Sequence, residues 1–297
     1  MRANVPLDFV LRQIEDIEAY KTGPAVLQVH KFPPTPEEQD LRSLQLLPSD
    51  IASLPNCHPM GCDVKLSADM MKQIESQIGG RQGSNAQNVS RAFQDVLFQY
   101  FHRYLEHGKD ALITYQDKPQ AVSLAEVSAG ALQEFGWIRT YAAALWSQLE
   151  YQDPLDRSLT SRGDYYYWSK EKAGLKAVVS VTQVNMWRSI ADRPSTALIA
   201  SKQLYASHYF EASLGLTVLI DDSTAEGPAV WIAYFNRSSV DAFDGLLGGL
   251  KRSLAVLRLP SALRGNLVQT KRNLENGYMA AKEQRPPNQF PSKGSSK

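Results

Sequence analysis

The 297-residue chain predicts an α+β fold in which an antiparallel sheet follows a long helical stretch, and three observations carry that prediction. The middle third repeats apolar residues every three or four positions. Residues 198–220 alternate apolar with polar side chains, and residues 243–257 return to an apolar helical stripe. Hydrophobic residues at 43% and charged residues at 21% suit a chain with a sizeable core, which excludes disorder, collagen and coiled coil as overall descriptions. Lys plus Arg at 32 against Asp plus Glu at 31 leave a formal charge of +1, so no general field attracts nucleic acid. No run approaches the roughly 20 apolar residues that span a bilayer. Met1 to Asp8 lacks the basic and apolar segments of a secretory signal, so the expectation is a cytoplasmic protein or one whose signal has been removed. The length fits one elaborated domain over residues 1–282, with a helical insertion over about 67–162 and a disordered Pro-, Ser- and Lys-rich tail over 283–297.

Phe9, Val10, Ile14, Ile17 and Tyr20 recur at helical intervals, predicting an amphipathic helix from Pro6 to Tyr20. Ala25 to Phe32 is a short β-type run ended by Pro33 and Pro34, and Leu41 to Leu54, broken by Pro48, is expected to be irregular with one short helix. Ser67 opens a helix through Ile78, which the glycines from Gly79 break. The next helix carries Val89, Phe93, Leu97, Tyr100 and Tyr104, so His102 and His107 read as surface histidines on it. Leu124 to Tyr151 is helical with an interruption near Gly136. Tyr165 to Trp187 reads as a hairpin turning at Lys172-Ala173-Gly174.

Between Leu198 and Ile220 the even positions are apolar and most odd ones polar, as on a sheet with one dry side. So long a strand should bend or bulge near Ser213 or Gly215. Val230 to Asn236 is a further strand. Val240 then starts an amphipathic helix through Leu257, with Phe243, Leu246, Leu247, Leu250 and Leu254 on its stripe, which Pro260 should kink or end before a second piece to about Tyr278.

Cys57 and Cys62 enclose His58, Pro59, Met60 and Gly61, a segment that favours bringing its ends together. A disulfide, reduced thiols and a metal pair all remain open, although structural zinc needs four ligands and no second Cys pair exists. Ser207 and His208 suggest a nucleophile and base, but neighbours on a strand point to opposite faces. The glycine cluster lacks the Lys-Ser or Lys-Thr of a phosphate loop, and no Gly-x-Ser-x-Gly elbow occurs. Asp221 with Asp222 and Asp241 with Asp244 lie at a turn and a helix start, where capping explains them. No cofactor, metal or catalytic residue is assigned. Lys202 and His208 break the apolar rule on the even face of the long strand. In a cavity they would meet the polar head of a mostly apolar ligand beside Phe210, and in a solid core they must pair or snorkel.

The order of helix, short strand, helical insertion, antiparallel strands and amphipathic helix resembles the START-like helix-grip superfamily (SRPBCC). Val5 to Leu11, Asp16-Ile17-Glu18 and Val26-Leu27-Gln28-Val29 look like its opening. Cys57 to Leu66, Tyr167 to Glu171 and Ser201 to Phe210 look like segments of an uncharacterised family of bacterial proteins, generally exported. The resemblance implies a curved antiparallel sheet gripping the carboxy-terminal amphipathic helix and noncatalytic binding of a lipid, sterol or polyketide-like molecule between them. Lys202, His208, Phe210, Tyr234, Leu247 and Leu250 would line that space, and periplasmic or secreted location would favour an oxidised Cys57–Cys62 pair. The other class of reading is a cell-envelope interaction protein with a filled core, whose basic carboxy-terminal helix lies on a membrane surface or a partner.

Overall fold

The computed structural model describes residues 1–79, 85–150, 163–189, 194–241 and 248–283, and the backbone alone for residues 248–263 and Asn266. After the two-residue strand β1 (Arg2–Ala3), the first predicted helix is split: α1 (Leu7–Glu15) stops where Asp16 leaves helical geometry at φ −90° and ψ 70°. There α2 (Ile17–Tyr20) begins, with the Asp16 carboxylate accepting the Ala19 N–H. Strand β2 (Val26–Lys31) follows. Pro48 opens the short helix α3 (Pro48–Ser53) at its first position, where no intrahelical N–H is needed.

The insertion is helical as expected. Ser67 caps α4 (Ala68–Ile78) by accepting the Met70 N–H, and Gly79, at φ 66°, ends it in the left-handed conformation that glycine tolerates. Asn85 caps α5 (Ala86–His107), which buries Phe93, Leu97, Tyr100, Phe101 and Tyr104 and leaves His102 and His107 on its surface. A small pair, β3 (Thr114–Tyr115) with β4 (Val122–Ser123), leads into α6 (Leu124–Gln133), α7 (Ile138–Tyr141) and α8 (Ala143–Glu150), with Gly136 in the first gap.

The main sheet is open and wholly antiparallel. Its strands β5 (Tyr165–Ala173), β6 (Lys176–Ser189), β7 (Thr196–Ala206), β8 (Phe210–Asp221) and β9 (Val230–Val240) complete the order β1-β9-β8-β7-β6-β5-β2. The single strand expected over residues 198–220 is therefore a hairpin. It turns at residues 207–209, where Tyr209 adopts φ 61°. Neither irregularity falls at Ser213 or Gly215. Leu204 is the extra residue where Val181 pairs with Tyr205 and Thr182 with Gln203, and Glu211 is the extra residue of β8.

Both faces of the sheet bury apolar clusters, which corrects the expectation of one dry side. Leu198, Ala200, Leu214 and Leu216 pack on α6, α7 and α8, while Trp168, Val181, Leu204 and Tyr205 pack on α4 and α5. On the opposite face Val184, Ala197, Ile199, Leu219 and Ile232 meet α1, α2, β1 and Leu274 of the last helix. That helix, α9 (Gly248–Glu283), runs through Pro260 instead of ending there, and Val240 lies in β9 rather than opening a helix. In its described second half Leu274 is buried and the Tyr278 ring lies edge-on 5.3 Å from Phe9. The stripe from Phe243 to Leu257, with Leu247 and Leu250, and the tail beyond Glu283 lie outside the described side chains.

Candidate functional site

Of the predicted ligand residues, the four that are described, Lys202, His208, Phe210 and Tyr234, are distributed over three places, and Leu247 and Leu250 lie outside the described side chains. Lys202, on β7, faces the insertion: it pairs in register with Leu214, and its Nζ donates to the Leu149 carbonyl of α8 at 3.4 Å. Burial, with a lesser contribution from the charge of Lys109, pulls its pKa down to about 8. The space beside it, lined by Ser128, Leu132, Leu149 and Leu214, measures about 10 Å³, room for one water and not for a ligand body.

His208 sits in the β7–β8 turn, not on the strand face. Its Nε2 is 3.1 Å from Asp50 Oδ2, and both side chains are buried. Ser49 Oγ donates to Asp50 Oδ1 at 3.2 Å, and Lys176 Nζ stands 3.8 Å from that oxygen. Ser207 Oγ accepts the Val179 N–H at 2.9 Å, so this hydroxyl is held on the neighbouring strand and the histidine–carboxylate pair is not extended to it. Phe210, at the start of β8, is half-buried.

The same turn rests on a second buried cluster. Lys65 Nζ lies 2.7 Å from Asp241 Oδ2, 3.9 Å from Asp117 Oδ2 and 4.8 Å from the centre of the Tyr115 ring. Its main chain donates to the Ser207 carbonyl and accepts from the Tyr205 hydroxyl. Asp241, expected as a helix cap, is thus a structural counter-ion. Burial raises the Asp117 pKa, and the Lys65 charge opposes that rise.

Cys57 and Cys62 are joined in a disulfide. The loop they close hydrogen-bonds through Met60 N and Cys62 N to the carbonyls of Gln116 and Asp117, so it fixes the segment that delivers Lys65. Cys57→Ser with Cys62→Ser is expected to lower stability by about 2 kcal/mol, the chain-entropy value for so short a loop. Urea titration with and without reductant checks this. An unchanged midpoint would mean that the hydrogen bonds alone hold the segment.

Tyr234 belongs to the sheet face of α1 and α9. There the dry core gives way to a polar tract: Thr182 pairs with Gln203, Ser201 with Gly215, and Gly215 with Asn236. The Tyr234 ring lies across Gly215, where a Cβ would come within 3.1 Å of the phenol oxygen. Asn236 Nδ2 donates to the Tyr234 hydroxyl and to Ser213 Oγ. At the margin Lys21 Nζ is 3.1 Å from Glu171 and 5.6 Å from the centre of the Tyr167 ring. Burial acts to lower the Lys21 pKa, but Tyr167 and Glu171 outweigh it and leave the pKa raised. Within this tract Gln203 is 7% exposed, and its Nε2 has no hydrogen-bond partner. A buried amide left without a partner costs about 1–3 kcal/mol.

Among the described residues no group of His, Cys, Asp and Glu is arranged to hold a metal, and no helix is long and apolar enough to cross a membrane. No protein-family model, curated protein or solved structure matches the chain.

Proposed function

We propose that the protein is a noncatalytic binding protein for an amphipathic small molecule, lying on the sheet face shared by α1 and α9. The observation that carries this reading is the unpartnered, buried Nε2 of Gln203 among Thr182, Ser201 and Tyr234. A face built only for packing gains nothing from an orphaned amide, whereas a ligand oxygen accepting from it would offset that cost. The apolar half of the same face, with Val184, Ile199 and Ile232, suits the body of such a molecule. The resemblance to helix-grip proteins leads to the same location, between sheet and carboxy-terminal helix. The head-group role anticipated for Lys202 and His208 passes to Gln203 and Tyr234, because Lys202 faces α8 and His208 is committed to Asp50.

A fluorescent fatty acid is the probe. Saturable binding by wild type is expected, with Gln203→Leu weakening it about five- to thirty-fold, the worth of one hydrogen bond at about 1–2 kcal/mol. Gln203→Leu should at the same time be no less stable than wild type, since it removes an unsatisfied group. A stabilised variant that binds as well as wild type, or a wild type without saturable binding, would overturn the proposal.

A further inference from the structure

Among the described residues strand β9 has an unpaired stretch of outer edge whose geometry is complementary to itself. Its outer side pairs with β1 only at Val230 and Trp231, extended by Met1, whose amine donates to the Ile232 carbonyl at 2.6 Å while Ile232 N–H donates to the Met1 carbonyl at 2.7 Å. Residues of Ile232 parity therefore turn their N–H and C=O groups away from β8. Next along β9 these are Tyr234, Asn236 and Ser238, and among the described residues no strand pairs with them there. Beside them Tyr234 is 50% exposed and Phe235 47% exposed. Long exposed edges with aromatic side chains are ordinarily blunted by proline, by charge or by a covering element. This one carries a single charge, Arg237, ion-paired with Glu134.

We infer that a second copy of this chain occupies the edge, its β9 running antiparallel about a two-fold axis at Asn236. In this register Asn236 exchanges both main-chain hydrogen bonds with its counterpart, and Tyr234 exchanges two with Ser238 on each side of the axis, about six bonds in all. The pairing fills the free edge and stops at Ile232, where Met1 already sits. Side chains directly opposite share a face, so Phe235 meets Arg237 of the second copy twice, each guanidinium beside an exposed ring, and no two arginines face each other. Moving the axis to Tyr234 would place Ser238 opposite Val230, which β1 covers. Pairing through edge strands alone is a small contact of the kind found in transient complexes, so a reversible association at micromolar concentrations is expected.

Sedimentation velocity of the full chain between about 1 and 200 μM should show a monomer–dimer equilibrium in this range. Asn236→Pro removes an outward N–H at the axis and leaves the β8 ladder intact, so it should give a monomer with a near-native circular dichroism spectrum. The natural cysteines being bonded to each other, Asn236→Cys introduces one free thiol on the axis and should crosslink the dimer on mild oxidation, whereas Ser213→Cys, on β8, should not. A wild type monomeric throughout, dimerisation unaffected by Asn236→Pro in a folded variant, or equal crosslinking from both positions would overturn the inference.

Discussion

Lys65→Met is expected to lower stability by about 3–5 kcal/mol, the cost of breaking a buried ion pair from one side. The methionine fills most of the space, so the loss reports charge and not volume. Asp241 would lose its 2.7 Å partner, Asp117 would lose the nearest positive charge, and only the half-exposed Lys118, 3.0 Å from Asp241, would remain. The deficit should narrow on acidification, because burial already raises the Asp117 pKa and a protonated carboxyl needs no counter-ion. Urea unfolding of wild type, Lys65→Met, Asp241→Asn and the double variant supplies the coupling energy. A double variant about as stable as Lys65→Met alone supports the pair, and additive losses would assign the two residues to independent roles.

Lys202→Met should act in the opposite direction. The native pKa of about 8 lies below the ordinary 10.5, so below pH 8 the ammonium stays charged in both states and its burial is a net cost to the fold. As pH rises from 8 to 10.5 the native state releases the proton and the unfolded chain retains it, so wild-type stability increases, by roughly 3 kcal/mol across the window. Lys202→Met is independent of this proton. It should exceed wild type by on the order of 1–3 kcal/mol at pH 7, after losing the hydrogen bond to Leu149, with the gap closing towards pH 10.5. Denaturant titrations at pH 7, 9 and 10 decide the matter. A constant gap, or a variant less stable at pH 7, would show that the ammonium is well compensated where it lies.

The helices of the insertion were legible because each carries a local signal: Ser67 and Gly79 bracket α4 with a cap at each end, and the stripe from Val89 to Tyr104 describes α5. The hairpin β5–β6 was legible from Gly174, at φ 85°. The β7–β8 turn was not, because Tyr209 takes a left-handed conformation without glycine. Tertiary contacts hold it there: its hydroxyl accepts from Lys176 N and its carbonyl accepts from Asp241 N. Reading through that turn placed Lys202 and His208 on one face, when the bulge at Leu204 and the turn itself assign them to different surroundings. Asp50, Lys65 and Asp117 were missed for a related reason. Each looks like an ordinary surface charge in its own segment, and only contacts spanning more than a hundred residues bury Asp50 against His208 and Lys65 against Asp241. Gln203 could have been noticed as a long amide within an otherwise small-residue polar face, but its lack of a partner is visible only in three dimensions.

The pairing of Met1 with Ile232 bears on how the protein is made. Contacts at separations of 231, 176 and 158 residues tie the first strand, Lys65 and Asp50 to the last third of the chain. On the ribosome the amino-terminal segment therefore emerges long before its sheet partner exists. At about 5–20 residues per second, the wait for β9 is on the order of ten to fifty seconds. During that interval the apolar faces of α1 and α4 have no sheet to cover, while α4 and α5 can pack locally. The insertion is thus the part able to fold early in synthesis, and closure of the sheet, a step of high contact order, waits for β9, which makes nascent chains that have not yet reached Val230 natural clients for chaperones.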